Sequence, residues 1–213
     1  MPKNTLFEDL REEVKYEEGR SPFFYRRAFK RLTQKYISRE NKLILEERLD
    51  STEDEENQDN NLLRRYPRTG HIYLFEYKTE EKNISVFDPF PLVYVIKFNS
   101  KEFTGCNLHL IHPSKRKYVI DNLKNNKITL PYNTISKYII SQVDGLLLDI
   151  AFNEWEVASN LPIENLISIK DGKVRDLPLF DVWKEKNKTF RKMLVGTRIY
   201  KSYGSKDENF KGT

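Results

Sequence analysis

GHIYLFEYKTEEKNISVFDPFPLVYVIKFNSKEFTGCNLHLIHP, residues 70–113, decides the fold. Three segments in it, His71 to Tyr77, Pro91 to Phe98 and Phe103 to Ile111, alternate or run apolar with β-branched and aromatic residues. Each is bounded by a turn-former or a polar cluster, the pattern of strands. In the first, Ile72, Leu74 and Glu76 share one face while Tyr73, Phe75 and Tyr77 share the other, so both faces are at least partly covered. Asp88-Pro89-Phe90-Pro91 directs an extended approach to the second strand, because each proline fixes its own φ and restricts the residue before it. Asn99-Ser100-Lys101 is short enough for a hairpin, and Gly105 inside a strand implies a bulge or a close backbone approach. The stretch predicts a small, curled antiparallel meander.

Around that centre, a chain of 213 residues suits one domain with appendages or two small ones. Hydrophobic residues make up only 38%, so the aromatic share of 13% must supply much of the buried area. The net charge of +5 is mild, but acid is concentrated between Glu46 and Asp59 and leaves basic segments on either side. The single cysteine, Cys106, excludes an internal disulfide and fits a reducing compartment. No apolar run approaches a membrane span and Met1-Pro2-Lys3-Asn4 opens no secretory signal, so the expectation is a soluble chain made in the cytoplasm.

Residues 1–49 read as a charged, helical segment. Leu6, Leu10 and Val14 have helical spacing, Gly19-Arg20-Ser21-Pro22 breaks that helix, and Ser21 with Pro22 starts the next. In the second helix Tyr25, Phe29, Leu32 and Tyr36 form an apolar stripe, with Arg26, Arg27, Lys30, Arg31 and Lys35 over the remaining surface. Such a face either contacts nucleic-acid phosphate or is solvated while its stripe, with Phe24, docks on a neighbouring subunit. Residues 50–61 form an acidic linker with hardly an apolar residue.

Residues 62–169 are expected to hold an α+β core: the curled sheet packed with short helices. Pro113 to Asn125 reads as a helix lying across the meander, and Asn133 to Val143 as another, with Ile135, Tyr138 and Ile139 facing inward. Leu146 to Phe152 is a buried strand, and Asn153 caps a short helix over Glu154 to Ser159 that buries Trp155. Residues 170–213 form an extended basic and aromatic arm. There Lys184, Lys186, Lys188, Arg191, Lys192, Arg198 and Lys201 alternate with Trp183, Phe190 and Tyr200. The pattern fits phosphate contact with base stacking, or equally an arm anchored on a partner subunit through its aromatics.

Few residues carry catalytic patterns. Cys106-x-x-His109-x-x-His112 suggests metal ligands, but on a strand residues three apart face opposite sides, and a fourth ligand is missing. His109 is better read as a partly buried, hydrogen-bonded histidine. No glycine-rich phosphate loop, His-Glu-x-x-His helix or paired Cys-x-x-Cys occurs. A nuclease would need several carboxylates converging on a divalent ion, for which Asp144 and Asp149 are the candidates, with Glu154 and Glu156 near them. Asp149, flanked by Leu148 and Ile150, reads instead as a strand aspartate satisfied by a partner. No cofactor or metal is expected, and no enzyme.

The order Gly-His-Ile-Tyr, then Phe-Asp-Pro-Phe-Pro-Leu-Val, then Thr-Gly-Cys-Asn-Leu-His-Leu-Ile resembles a tailed-phage virion family that includes the DNA-end-protector proteins of T-even-type phages. There the pattern runs aromatic-Asp-x-Phe-Pro-Leu-Val followed by Gly-Phe-x-Gly-x-Asn-x-His-Tyr-Leu. Asn153-Glu154-Trp155-Glu156-Val157-Ala158 and Leu161-Pro162-Ile163-Glu164 extend the resemblance over about half the chain. Phe87 stands where the family usually has tyrosine. The resemblance implies a structural, non-catalytic virion protein at the portal or neck junction of head and tail. Such a protein would be oligomeric in the particle, contact portal, neck or tail subunits, and contact or protect the packaged DNA end. A purely architectural neck or tail-completion protein without DNA contact, and a phage nuclease, are the alternatives.

Overall fold

The computed structural model describes residues 63–125 and 130–186, together with Phe23, Phe24, Arg26–Ala28, Lys30, Arg31 and Gln34. The fold is α+β. Strands β1 (Leu63–Arg64), β2 (Ile72–Tyr77), β4 (Leu92–Phe98), β5 (Glu102–Asn107), β6 (Ile135–Ile139) and β7 (Val143–Ile150) form an antiparallel sheet in the order β1-β7-β2-β4-β5-β6. A smaller antiparallel sheet joins β3 (Ile84–Phe87), β8 (Ile167–Lys170) and β9 (Lys173–Asp176). Helices α1 (Pro113–Lys124) and α2 (Trp155–Asn160) pack on the large sheet, and a further helix, α3, covers 179–186.

Turn chemistry sets the meander. Asn99 Oδ1 accepts from the amides of Lys101 and Glu102 at 2.9 and 3.0 Å, closing the β4–β5 hairpin on an Asx turn. At Gly105 the strands approach so closely that a side chain there would collide with β4, and the β4–β5 register shifts beside it, between Val95 and Lys97. The sheet then curls. β6 and β7 lie towards opposite ends of the strand order, yet one 3₁₀ turn, Ile140–Gln142, connects them. The closure is held by the Tyr77 hydroxyl, which donates to Gln142 Oε1 at 2.8 Å and accepts from the Ile139 amide at 3.0 Å.

Curling gives each face its own core. Inside the curl, Tyr73, Phe75, Tyr77, Val93, Val95, Phe103, Tyr138 and Leu147 are buried together, with Phe75, Phe103 and Tyr77 ringed around Tyr138 at centroid distances of 5.1–5.4 Å. On the outer face Ile72, Leu74, Leu92, Cys106, Leu148 and Ile150 pack against Val119, Ile120 and Leu123 of α1 and against Trp155. This accounts for the apolar character of both faces of β2. A third group, Leu110, Leu166 and Val182, ties the small sheet and α3 to the end of β5.

Several elements differ from expectation. The third strand ends at Asn107, whose side chain accepts from the His109 amide and turns Leu108–Leu110 into 3₁₀ helix. Residues 133–143, expected as helix, form two 3₁₀ turns flanking β6, because the free edge of β5 recruits them from Glu102↔Ile139 to Cys106↔Ile135. The small sheet was not anticipated, and ordered structure continues past residue 169 through β9 and α3. The acidic linker and most of the N-terminal segment and C-terminal arm lie outside the described residues.

Trp155 behaves as expected. It is buried beside β7, and its indole N–H donates to the Ile150 carbonyl at 3.0 Å. Trp155→Ala should cost about 3–5 kcal/mol in urea unfolding; a midpoint equal to the parent's would show that the ring contributes nothing to the core.

Candidate functional site

Helix packing sorts the N-terminal cations. Phe24 and Ala28, four residues apart, turn towards the outer core, and Ala28 is buried in it. Arg27 and Arg31, also four apart, are exposed on another face. Lys30 reaches Glu76 of β2 at 2.7 Å, an exposed bridge that orients the helix but contributes little energy. Arg26 is half-buried: desolvation lowers its pKa, opposed by the charges of Asp88 and Asp176. Its surroundings therefore assign it to the fold as much as to a partner. Tyr25, Phe29, Leu32, Lys35 and Tyr36 lie outside the described residues.

On the C-terminal side, Lys184 is exposed and Lys186 half-buried on α3. Trp183 is engaged within the chain: its indole donates to the His109 carbonyl at 2.8 Å and its ring meets His112 and the Arg116 guanidinium. Phe24 and Trp183, expected as anchors for a partner, are thus largely occupied internally. Lys188, Phe190, Arg191, Lys192, Arg198, Tyr200 and Lys201 lie outside the described residues.

Beneath α3 is a buried polar network. Asp88 Oδ2 accepts from Asn107 Nδ2 at 3.0 Å and lies 2.9 Å from His109 Nδ1, while Asp88 Oδ1 accepts from the Phe90 amide at 3.0 Å. Asp88 and Asn107 are nearly inaccessible and His109 is wholly so. The adjoining Arg116 donates to the carbonyls of Ile111, Ser159 and His109 and pairs with Glu164. Asp88, Asn107, His109 and Glu164 all belong to the sequence patterns quoted above, so those patterns encode one internal staple joining the β3–β4 loop, the end of β5, α1 and α2. His109 is buried completely rather than in part, and its Nε2 has no hydrogen-bond partner.

No known family, curated protein or solved structure matches the chain. Its chemistry rests on the groups themselves. Cys106 sits in the core beside Thr134, and burial pushes its thiol up to about 12, which keeps it protonated and a poor nucleophile at neutral pH. Cys106, His109 and His112 do not converge, and no cluster of three metal-ligating groups occurs among the described residues. No helix among them is long and apolar enough to cross a membrane.

Sequence reasoning anticipated a satisfied Asp149 but not its partners. Arg64 Nε lies 3.0 Å from Asp149 Oδ2, His71 Nδ1 lies 3.1 Å from Oδ1, and the Tyr73 hydroxyl donates to Oδ2 at 3.2 Å. Burial raises Tyr73 to about 12, which keeps that hydroxyl a donor. Asp144 is held far from this cluster by Lys78, at 2.6 Å, which lowers its pKa. Glu156 pairs with Lys117 at 2.9 Å. Asp144, Asp149 and Glu156, three of the four carboxylates considered as nuclease ligands, are therefore committed to separate cations.

Proposed function

We propose that the chain is a non-catalytic structural protein of a tailed-phage particle, seated at the junction of head and tail, where it contacts and shields the packaged DNA end. The observation that carries this reading is the convergence of Asp88, Asn107 and His109. The patterns that resemble the virion family meet in one buried staple, as they would in a scaffold protein, with no reactive group offered to solvent. The exposed Arg27 and Arg31 give such a scaffold a cationic face. Its partners would be portal, neck or tail subunits and double-stranded DNA, with several copies per particle. An occluding protein needs no catalytic carboxylate.

Contact through phosphates makes binding insensitive to sequence and steeply dependent on salt. Arg27→Gln with Arg31→Gln should lower the slope of log K against log salt by about one unit for each cation that touches phosphate. Shielding of linear duplex ends from an exonuclease should fall in parallel. Absence of any binding to linear DNA at low salt, with normal incorporation into particles, would leave a purely architectural neck protein.

A further inference from the structure

We propose that the loop from Arg64 to His71 is a contact for the terminus of duplex DNA, Tyr66 stacking on the last base pair and Arg65 engaging its phosphates. This deepens the DNA-end reading and rests on it.

The loop is fastened at four points. β1 pairs with β7, Arg64↔Leu147, and Arg64 is ion-paired to Asp149. Pro67 is buried. The Arg68 amide donates to the Tyr73 hydroxyl at 2.9 Å. Gly70, at φ 85°, sends its amide to the Val95 carbonyl at 2.9 Å. Between these fastenings the chain presents Arg65 and Tyr66 to solvent, Tyr66 being 48% exposed. His71 is half-exposed at the loop's end. Asp149, the carboxylate beneath the loop, is neutralised by Arg64, so the outward charge is positive.

A large aromatic held out on a fastened loop beside a cation is poorly explained by folding, since it buries little. It suits nucleic acid, where rings stack on bases and cations meet phosphates, and a preordered ring loses little entropy on binding. The geometry also selects for ends. Inside a duplex each base pair is stacked on both faces, whereas a terminal pair leaves one face open. Phosphates occur all along the duplex, so Arg65 adds affinity and Tyr66 adds preference for the terminus.

The test uses the full chain and two short DNAs of one sequence, a blunt duplex and the same duplex with both ends closed by hairpin loops. The parent should bind the open duplex about tenfold more tightly, the scale of one base–aromatic stack. Tyr66→Ala should abolish that difference without weakening binding to the closed DNA, and Tyr66→Phe should keep it. Arg65→Gln should lower the salt slope on both DNAs by about one unit. Both positions are exposed, so melting temperatures should match the parent's. Equal binding of the parent to the two DNAs, or an end preference that survives Tyr66→Ala, overturns the proposal. If the parent shields ends and Tyr66→Ala shields them equally, only the loop assignment falls. A parent that binds neither DNA removes the DNA-end reading as well.

Discussion

Gly105→Ala should lower stability by about 3 kcal/mol or more, at the top of the range for overpacked cores. A Cβ at this position would lie 2.2 Å from Val93 Cγ1 and 2.6 Å from the Tyr94 carbonyl oxygen. The methyl belongs to a residue with no solvent exposure, and the oxygen belongs to the β4 backbone itself. Neither can withdraw without separating β4 from β5, whose ladder spans Val93↔Asn107 to Phe98↔Phe103. For a chain of this length the loss corresponds to a fall of about 10 °C in melting temperature. Adding Val93→Ala removes only one of the two collisions, so the double variant should remain well below the parent. A Gly105→Ala protein that melts with the parent would mean that the strands can separate there at no cost.

Arg116→Met should cost about 3–5 kcal/mol, the usual consequence of stranding one member of a buried ion pair. Arg116 is 1% exposed and Glu164 5%. Its Nε donates to the Ile111 carbonyl at 2.9 Å and its Nη1 to that of Ser159 at 2.6 Å, and Nη1 also pairs with Glu164. Burial lowers the Arg116 pKa, and Glu164 is the main influence holding the guanidinium charged. Without the arginine, the Glu164 carboxylate and several carbonyls lose their donors in a place water does not reach. Adding Glu164→Leu removes the stranded charge, so the double variant should recover part of the loss. Strict additivity of the two single changes would show that the pair is not coupled.

Arg116 also shows where the sequence stops being informative. It stands in the run Lys115-Arg116-Lys117, in which the sequence reading singled out no residue. Its spacing to Val119, Ile120 and Leu123 puts it on the buried face of α1, a signal present in the sequence but outweighed by its charge. The meander strands β2, β4 and β5, the close approach at Gly105, the Pro113 helix and the burial of Trp155 were legible, because each follows from local spacing or turn chemistry. The segment around Ile135, Tyr138 and Ile139 was not. Spacings of three and four residues suit a helix, but the open edge of β5 decided otherwise, a tertiary effect that no local window contains. The partners of Asp149 were illegible for the same reason, since Arg64, His71 and Tyr73 all lie more than seventy residues away.

The closure of the sheet by Ile140–Gln142 has a consequence in time. Tyr73 faces Asp149 across the β2–β7 ladder from 76 residues away, so one side of β2 stays unpaired until β7 has been made. At ordinary rates of translation that interval lasts roughly 4–15 s. Throughout it the nascent chain displays an apolar strand with open backbone donors and acceptors, the kind of edge that invites association with other chains. High contact order of this sort slows folding as well, because the loop must close before its contacts form. Recovery of soluble protein should therefore respond to synthesis rate and temperature more than the stability of the finished fold would suggest. Chains truncated before Val143 should aggregate rather than persist as monomers, leaving β2 with no strand to cover it.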